Sequence, residues 1–508
     1  MTKIRRSILS GILGLLSMTT AAPYSHAAGE AITIVLPEEP PSLEPCESKH
    51  SSVGRVLIQN ITEPLTVIDP QTGDVKPELA TGWEQTEPDT WRFQLREGVR
   101  FSDGAPFDAK AVVASIDRLQ RDDMTCNTRQ QTLGGVDITA RANGDHVVEF
   151  KTSKPIPIFP TMISVAQISS PNMPMKGASR APIGTGPYVM ASWNAGTDII
   201  LKRRDDYWGD KPVVTEARFV WRTESALRAA MVATGEADLT PIISVADADN
   251  PQTDLAYPNG ETTRLRIATD VPPLNDRRVR LALNMAIDRV GMKVLFGDEA
   301  QLSEQLIGSN VNGFNPDLKP FPFDPGRALA LIEEARQDGV PVDRPITIVG
   351  RNEIYVNGGE ALEAIQAMWA EIGIKAQIRM FDSGNWLRYQ NRPFPEPDKP
   401  ILVQDQHDNL LGDATFTAFN KYASTGVNSG VYDKRVDQLI AEAEPATGEE
   451  RTKAFQKAFA ILHDDIVADI YMYHMTGYTR VNPRLDWRPT LATNSEIDLS
   501  QIRFKASQ

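Results

Sequence analysis

Between residues 324 and 406 the chain switches repeatedly between two hydrophobic periods. "DPGRALALIEEARQDG" spaces its apolar residues as one face of a helix, and "RPITIVGR" follows as a short β-rich run. "GGEALEAIQAMWAEIG" returns to the helical period, and "IKAQIRM" and "KPILVQDQ" read as two more strands. Side chains repeat every 3.6 residues on a helix and every two on a strand, so each switch marks a new element. Strand–helix–strand alternation with short connections implies an α/β layer with a mostly parallel sheet.

The first half carries strands in pairs. In "TWRFQLREGVRFSDGAPFDAKAVVASIDRL", residues 90–119, Trp91, Phe93 and Leu95 share one strand face. Ser102-Asp103-Gly104 then makes a turn, because Asp bonds its own backbone and Gly accepts positive φ. Asp108 stands at an N-cap position before Val112, Ile116 and Leu119, which recur at helical intervals. "AITIVL" and "DHVVEFKT" read as strands. Residues 188–202 read as a hairpin turning at Asn194-Ala195-Gly196. A second region starts near Pro272. It opens with a helix whose stripe is Val279, Leu283, Ala286 and Ile287, and ends with two helices before "ADIYMYHMTGYTRV". That last strand is expected to return to the first, β-rich region. The reading is two α/β lobes, with the chain crossing between them more than once.

Lys3, Arg5 and Arg6 precede a short apolar run, and Ser25-His26-Ala27 offers small residues where a signal peptidase reads. Residues 1–27 are therefore expected to be a cleaved signal peptide, with export to the periplasm. The first cysteine is Cys46, too far on to be a lipid-bearing thiol at the mature terminus, so a lipoprotein is not expected. No later run reaches membrane-spanning length. Cleavage takes the formal charge from −14 to −17. That balance argues against nucleic acid and anionic lipid as partners. Cys46 and Cys126 are the two cysteines, and in an oxidising compartment a disulfide between them is expected.

Enzyme signatures are absent: no GxSxG elbow, HExxH, Walker A loop or CxxC. No catalytic, metal or cofactor site is assigned. What remains is a set of polar loops beyond strand ends, where open α/β sheets bind ligands. The candidate ligand-contacting residues are Glu38 and Glu39 after the first strand, Arg351 and Asn352 after "ITIVG", Trp386, and Gln406, His407, Asp408, Asn409 and Asp413 in "QDQHDNLLGDATF".

Taken together, five segments resemble one family. They are residues 77–119, "GTGPYVMASWNAGTDIILKRRDDYW", "MVATGEADL", "NDRRVRLALNMAIDR" and "YDKRVDQLIAEA". The chain resembles the family-5 extracellular solute-binding proteins of bacterial ABC importers, the oligopeptide-, dipeptide- and nickel-binding group. The resemblance implies a hinge-connected, two-lobed periplasmic-binding-protein fold of type II, in its large class with an extra subdomain. It places lobe I at 28–270 with an insertion at about 61–180, lobe II at 271–470, and a C-terminal return to lobe I at 471–508. It implies a monomer without enzymatic activity that hands a small peptide or peptide-like solute to membrane permease subunits. It also implies that Asp413 meets the ligand's α-amino group. The loop departs from the peptide binders' Gly-Trp and Asp-Pro-Asp pattern, carrying His407-Asp408-Asn409. A sugar conjugate, an opine-like compound or a chelated metal is therefore the alternative cargo, and an exported hydrolase the third reading.

Overall fold

The computed structural model describes residues 30–506 apart from 122–125, 127, 130–135, 175–176, 353 and 409–410. The leader assigned to residues 1–27 and the candidate Asn409 lie outside the described residues.

One mixed, 11-stranded sheet runs through the molecule. Its order is Ala376–Phe381, Ile346–Arg351, Ile401–Asp408, Asp254–Ile267, Asp469–Val481, Leu239–Ile243, Ala31–Leu36, Glu216–Trp221, Asp198–Arg203 and Tyr188–Asn194. Gln301–Leu302 pairs beside Asp469–Val481. The first three strands are parallel, as the alternation demands, with the helix Gly358–Glu371 between the first two in sequence. Ala31–Leu36 is likewise parallel to both its neighbours. The sheet is nevertheless not parallel at its centre. Asp254–Ile267 and Asp469–Val481 run antiparallel to each other, and each is antiparallel to the strand on its outer side.

These two long strands join the halves of the sheet. Asp254–Pro258 pairs with Thr476–Arg480, and Thr262–Arg266 pairs with His474–Asp469. Between those ladders Asn259, Gly260 and Glu261 oppose the single residue Met475. Pro258 has no N–H to give, and Gly260 has φ +78°, so the ladder breaks into a bulge there. Separate cores flank the break. Ile34, Phe219 and Tyr188 anchor one, while Ile348, Trp369 and Leu402 anchor the other. Burying each such side chain is worth about 1.5–3 kcal/mol.

A four-stranded antiparallel sheet forms a further unit, ordered Ala80–Glu87, Thr90–Leu95, Val147–Thr152 and Ile138–Ala142. Trp91, Phe93 and Leu95 are buried, as their alternation predicts. Phe93 meets Phe150 edge-on at 5.2 Å between centroids. The helix Ala109–Leu119 packs on this sheet, and the Asp108 carboxylate accepts from Ala111 N at 2.9 Å. A Cys46–Cys126 disulfide, with Cα atoms 5.2 Å apart, ties this unit to the loop after the first strand. The expected hairpin is present, with Gly196 at φ +76° between Tyr188–Asn194 and Asp198–Arg203.

Candidate functional site

The strand Ile401–Asp408 sorts its polar side chains by face. Asp405 points inward, where Lys421 donates to it at 2.9 Å and Arg264 at 3.0 Å. Arg264 also makes a two-bonded contact with Asp469 at 2.9 and 3.0 Å, and Tyr422 donates to the same carboxylate at 2.6 Å. Arg264 is 0% exposed, so this charge set stands only because every member has a partner of opposite sign. His407 lies on the same face, its Nε2 2.6 Å from Thr417 Oγ1. Burial, reinforced by the Lys421 charge, pushes its imidazole down to about 3, so it is neutral at physiological pH.

The other face opens on a cleft of ≈ 390 Å³ between the two halves of the sheet. One wall supplies Glu38 from the end of Ala31–Leu36 and Arg55 from the helix Ser51–Leu57. The opposite wall supplies Arg351, Tyr355 and Gln406, and the floor is the bulge itself, with Glu261 and Met475. Its volume falls at the small end of ligand sites, which run about 300–1,000 Å³. A second cavity of ≈ 420 Å³, lined by Glu78, Tyr207 and Glu496 among others, touches none of the expected residues that are described.

The cleft holds both signs of charge. Arg55 is buried and donates through Nε to Thr493 O at 3.2 Å. Burial lowers its pKa against the raising influence of Tyr257, Glu261 and Glu38. Arg351 is half-buried, and its Nε is shielded from solvent without a hydrogen-bond partner among the described residues. Glu261 accepts from Gln406, from Asn259 at 3.3 Å and from Asn494 at 3.4 Å. Burial, with the nearby Asp408 charge, pushes its carboxyl up to about 7. Glu38 lies at the rim, 3.8 Å from His50 Nε2.

Of the expected residues, the structure brings Glu38, Arg351 and Gln406 together in the cleft. Asp408 is exposed at the end of its strand, close enough to act on Glu261. The others are placed differently. Glu39 accepts from Trp193 Nε1 at 2.8 Å and Gly196 N at 3.0 Å, so it fastens the hairpin turn. Asn352 is exposed, and its N–H donates to Phe381 O at 2.8 Å, which extends the strand ladder. Trp386 packs behind Arg351 and does not line the cleft. His407 turns to Thr417. Asp413 needs the largest correction. Arg451 clamps both its oxygens at 2.8 and 2.9 Å, and Asn312 and Thr415 N also donate to it. Its buried charge is already balanced within the chain, so it is not an open counter-charge for a ligand amine.

Arg55 and Glu261 escaped the sequence reading. Arg55 is a single charge inside "SSVGRVL", and Glu261 follows an Asn-Gly pair in a β-rich run. Each is visible as an interruption of its pattern, but neither carries a motif.

Residues 74–396 match the family described as bacterial extracellular solute-binding proteins, family 5 Middle. The chain belongs to that family. It is 26% identical over 471 residues to the glutathione-binding protein GsiB of Salmonella paratyphi A, covering 89% of this chain and 90% of that protein. It is 28% identical to the nickel-binding periplasmic protein of Escherichia coli, covering 85% and 87%. Among solved structures, HbpA2 from Haemophilus parasuis superposes with a TM-score of 0.81 at 21% identity, covering 94% of this chain and all of that one. That two-lobed fold and that family make the chain a solute-binding protein.

Proposed function

We propose that this chain is the periplasmic solute-binding component of an ABC importer, and that its cleft closes on a small peptide or peptide-like solute whose carboxylate lands on Arg351. The Arg351 guanidinium carries the reading. Its Nε is shielded and makes no hydrogen bond among the described residues, and the half-buried guanidinium stands on the cleft wall, where an entering carboxylate would supply the acceptor it lacks. Arg55 faces it from the other wall, while Glu38 and Glu261 offer acceptors for a cationic end. A zwitterion fits that pairing, and relatives named for binding glutathione and dipeptides support a peptide-like cargo. A solute touching both walls gains contacts only on closure, and that difference is what shifts a hinge equilibrium.

The lobe division expected from sequence belongs to this reading, with bending assigned to the bulge at 259–261 and Met475. So do export by the 1–27 leader, a monomeric state, and delivery to permease subunits. No chemical step is assigned to the cleft.

Titration calorimetry with dipeptides and their C-terminal amides tests the proposal. One charge-assisted hydrogen bond is worth about 1.5–3 kcal/mol, or roughly 10- to 150-fold in affinity. Arg351→Ala should therefore erase a preference for acid over amide of at least tenfold. Equal binding of acid and amide by the unaltered protein would overturn it.

A further inference from the structure

Arg351 ends its strand with a long, flexible side chain, and its guanidinium makes no hydrogen bond within the described residues. Something else must aim it. The Trp386 indole lies beneath the guanidinium, 4.9 Å from carbon to ring centroid. Trp386 is 7% exposed, and its Nε1 donates to the Gln404 backbone O at 2.9 Å. The Gln404 side chain is fully buried and ties three elements together. Its Oε1 accepts from Arg351 N at 3.2 Å, and its Nε2 donates to Tyr355 Oη and to Gly358 O, both at 3.0 Å. One amide thus fixes the backbone under Arg351, the Tyr355 ring of the cleft wall and the start of the next helix. Neither Trp386 nor Gln404 lines the cleft.

We propose that Trp386 and Gln404 are positioning residues that make the cleft selective for planar carboxylates, by holding the Arg351 guanidinium on an aromatic shelf with its N–H edge toward the solute. The inference rests on the reading of Arg351 as carboxylate receptor. A guanidinium is a flat fork that pairs with a carboxylate through two parallel bonds, and it stacks on aromatic faces without using those donors. A shelf of this kind removes the rotamer freedom that a free arginine would lose on binding. An ammonium in the same place would gain little from the indole's flatness, and would offer no fork.

The test is calorimetry with one dipeptide pool and the matching pool of C-terminal amides, on the unaltered protein and on Arg351→Ala, Trp386→Phe, Trp386→Leu and Gln404→Met. Trp386→Phe keeps an aromatic face and should retain the acid preference within about threefold. Trp386→Leu should cut acid binding at least tenfold and leave amide binding unchanged. Gln404→Met keeps the backbone acceptor for Trp386 and loses the clamp on Arg351 N, so it should reduce the same preference in a protein with an intact shelf. If Arg351→Ala erases the preference and both Trp386→Leu and Gln404→Met keep it, the shelf is wrong and the receptor stands. If these two lose acid and amide alike, the role is merely structural and the proposal is overturned. If the unaltered protein shows no preference, the receptor reading goes as well.

Discussion

Glu261 gives the sharpest quantitative test, because its environment sets a sign that changes with pH. Its carboxyl sits in the bulge floor, raised from 4.5 to about 7 chiefly by burial, with Asp408 adding to the effect. At about 1.4 kcal/mol for each pKa unit, that corresponds to roughly 3 kcal/mol. The native chain holds this proton more tightly than the unfolded chain does. Stability is therefore intact below about pH 4.5, falls as pH rises from 4.5 to 7, and stays lower above that. Glu261→Gln removes the charge at every pH. It also leaves one acceptor oxygen where Asn259, Gln406 and Asn494 now donate to two, at a cost of about 1 kcal/mol. The substitution should thus stabilise by about 2 kcal/mol at pH 8 and destabilise by about 1 kcal/mol at pH 4.5. Calorimetric unfolding of both proteins at the two pH values reads the difference, and Glu78 and Glu496, also raised by burial, are common to both. A midpoint shift of the same sign at both pH values would refute the reasoning.

Three further outcomes follow from the packing. Asp413→Asn strands the buried Arg451 guanidinium, so it should lower stability by about 3–5 kcal/mol while solute affinity holds in the folded fraction; unchanged melting with lost affinity would return Asp413 to the site. Replacing Cys46 and Cys126 with serine opens a loop spanning 80 residues of sequence separation, and the urea midpoint should fall by an amount equivalent to roughly 4 kcal/mol; an unmoved midpoint would show that the crosslink constrains little. Gly73 and Gly412 approach each other at positive φ beside the second cavity, and a Cβ on Gly73 would strike Asn310 O. Gly73→Ala should therefore raise the solution radius of gyration of the solute-free protein, and an unchanged scattering profile would show that this contact does not hold the halves together.

Much of the scaffold was legible because its signals are local. Asp108 caps the helix it precedes, Gly196 turns the hairpin it interrupts, and the 324–406 alternation gives three parallel strands. Sheet polarity at the centre was not legible. Asp254–Ile267 pairs with residues more than 200 positions away, and no local pattern states the direction of such a partner. The site divides the same way. Glu38, Arg351 and Gln406 come to line one cleft because they sit near or just beyond the carboxyl ends of sheet strands. Asp413 misled because Arg451, its partner, arrives from the helix Gly448–Ala460, and a carboxylate in a polar loop looks the same with or without a counter-ion.

The same strand shows how the chain separates stability from recognition. On the inner face of Ile401–Asp408, Asp405 meets Arg264 of one long strand, and Arg264 meets Asp469 of the other. That closed charge set pins both long strands in register immediately beside the bulge. The ladder between the two long strands is interrupted at 259–261 and Met475, the place to which the proposed function assigns bending. On the outer face, Gln406 turns to Glu261 and the Gln404 side chain holds the Arg351 backbone N–H, while the Arg351 guanidinium makes no hydrogen bond among the described residues. An arginine satisfied inside the lobe could only hold the fold together. In the function proposed above, one steadied from behind and open in front would make the closed state depend on what enters, because its partner would come from the solute.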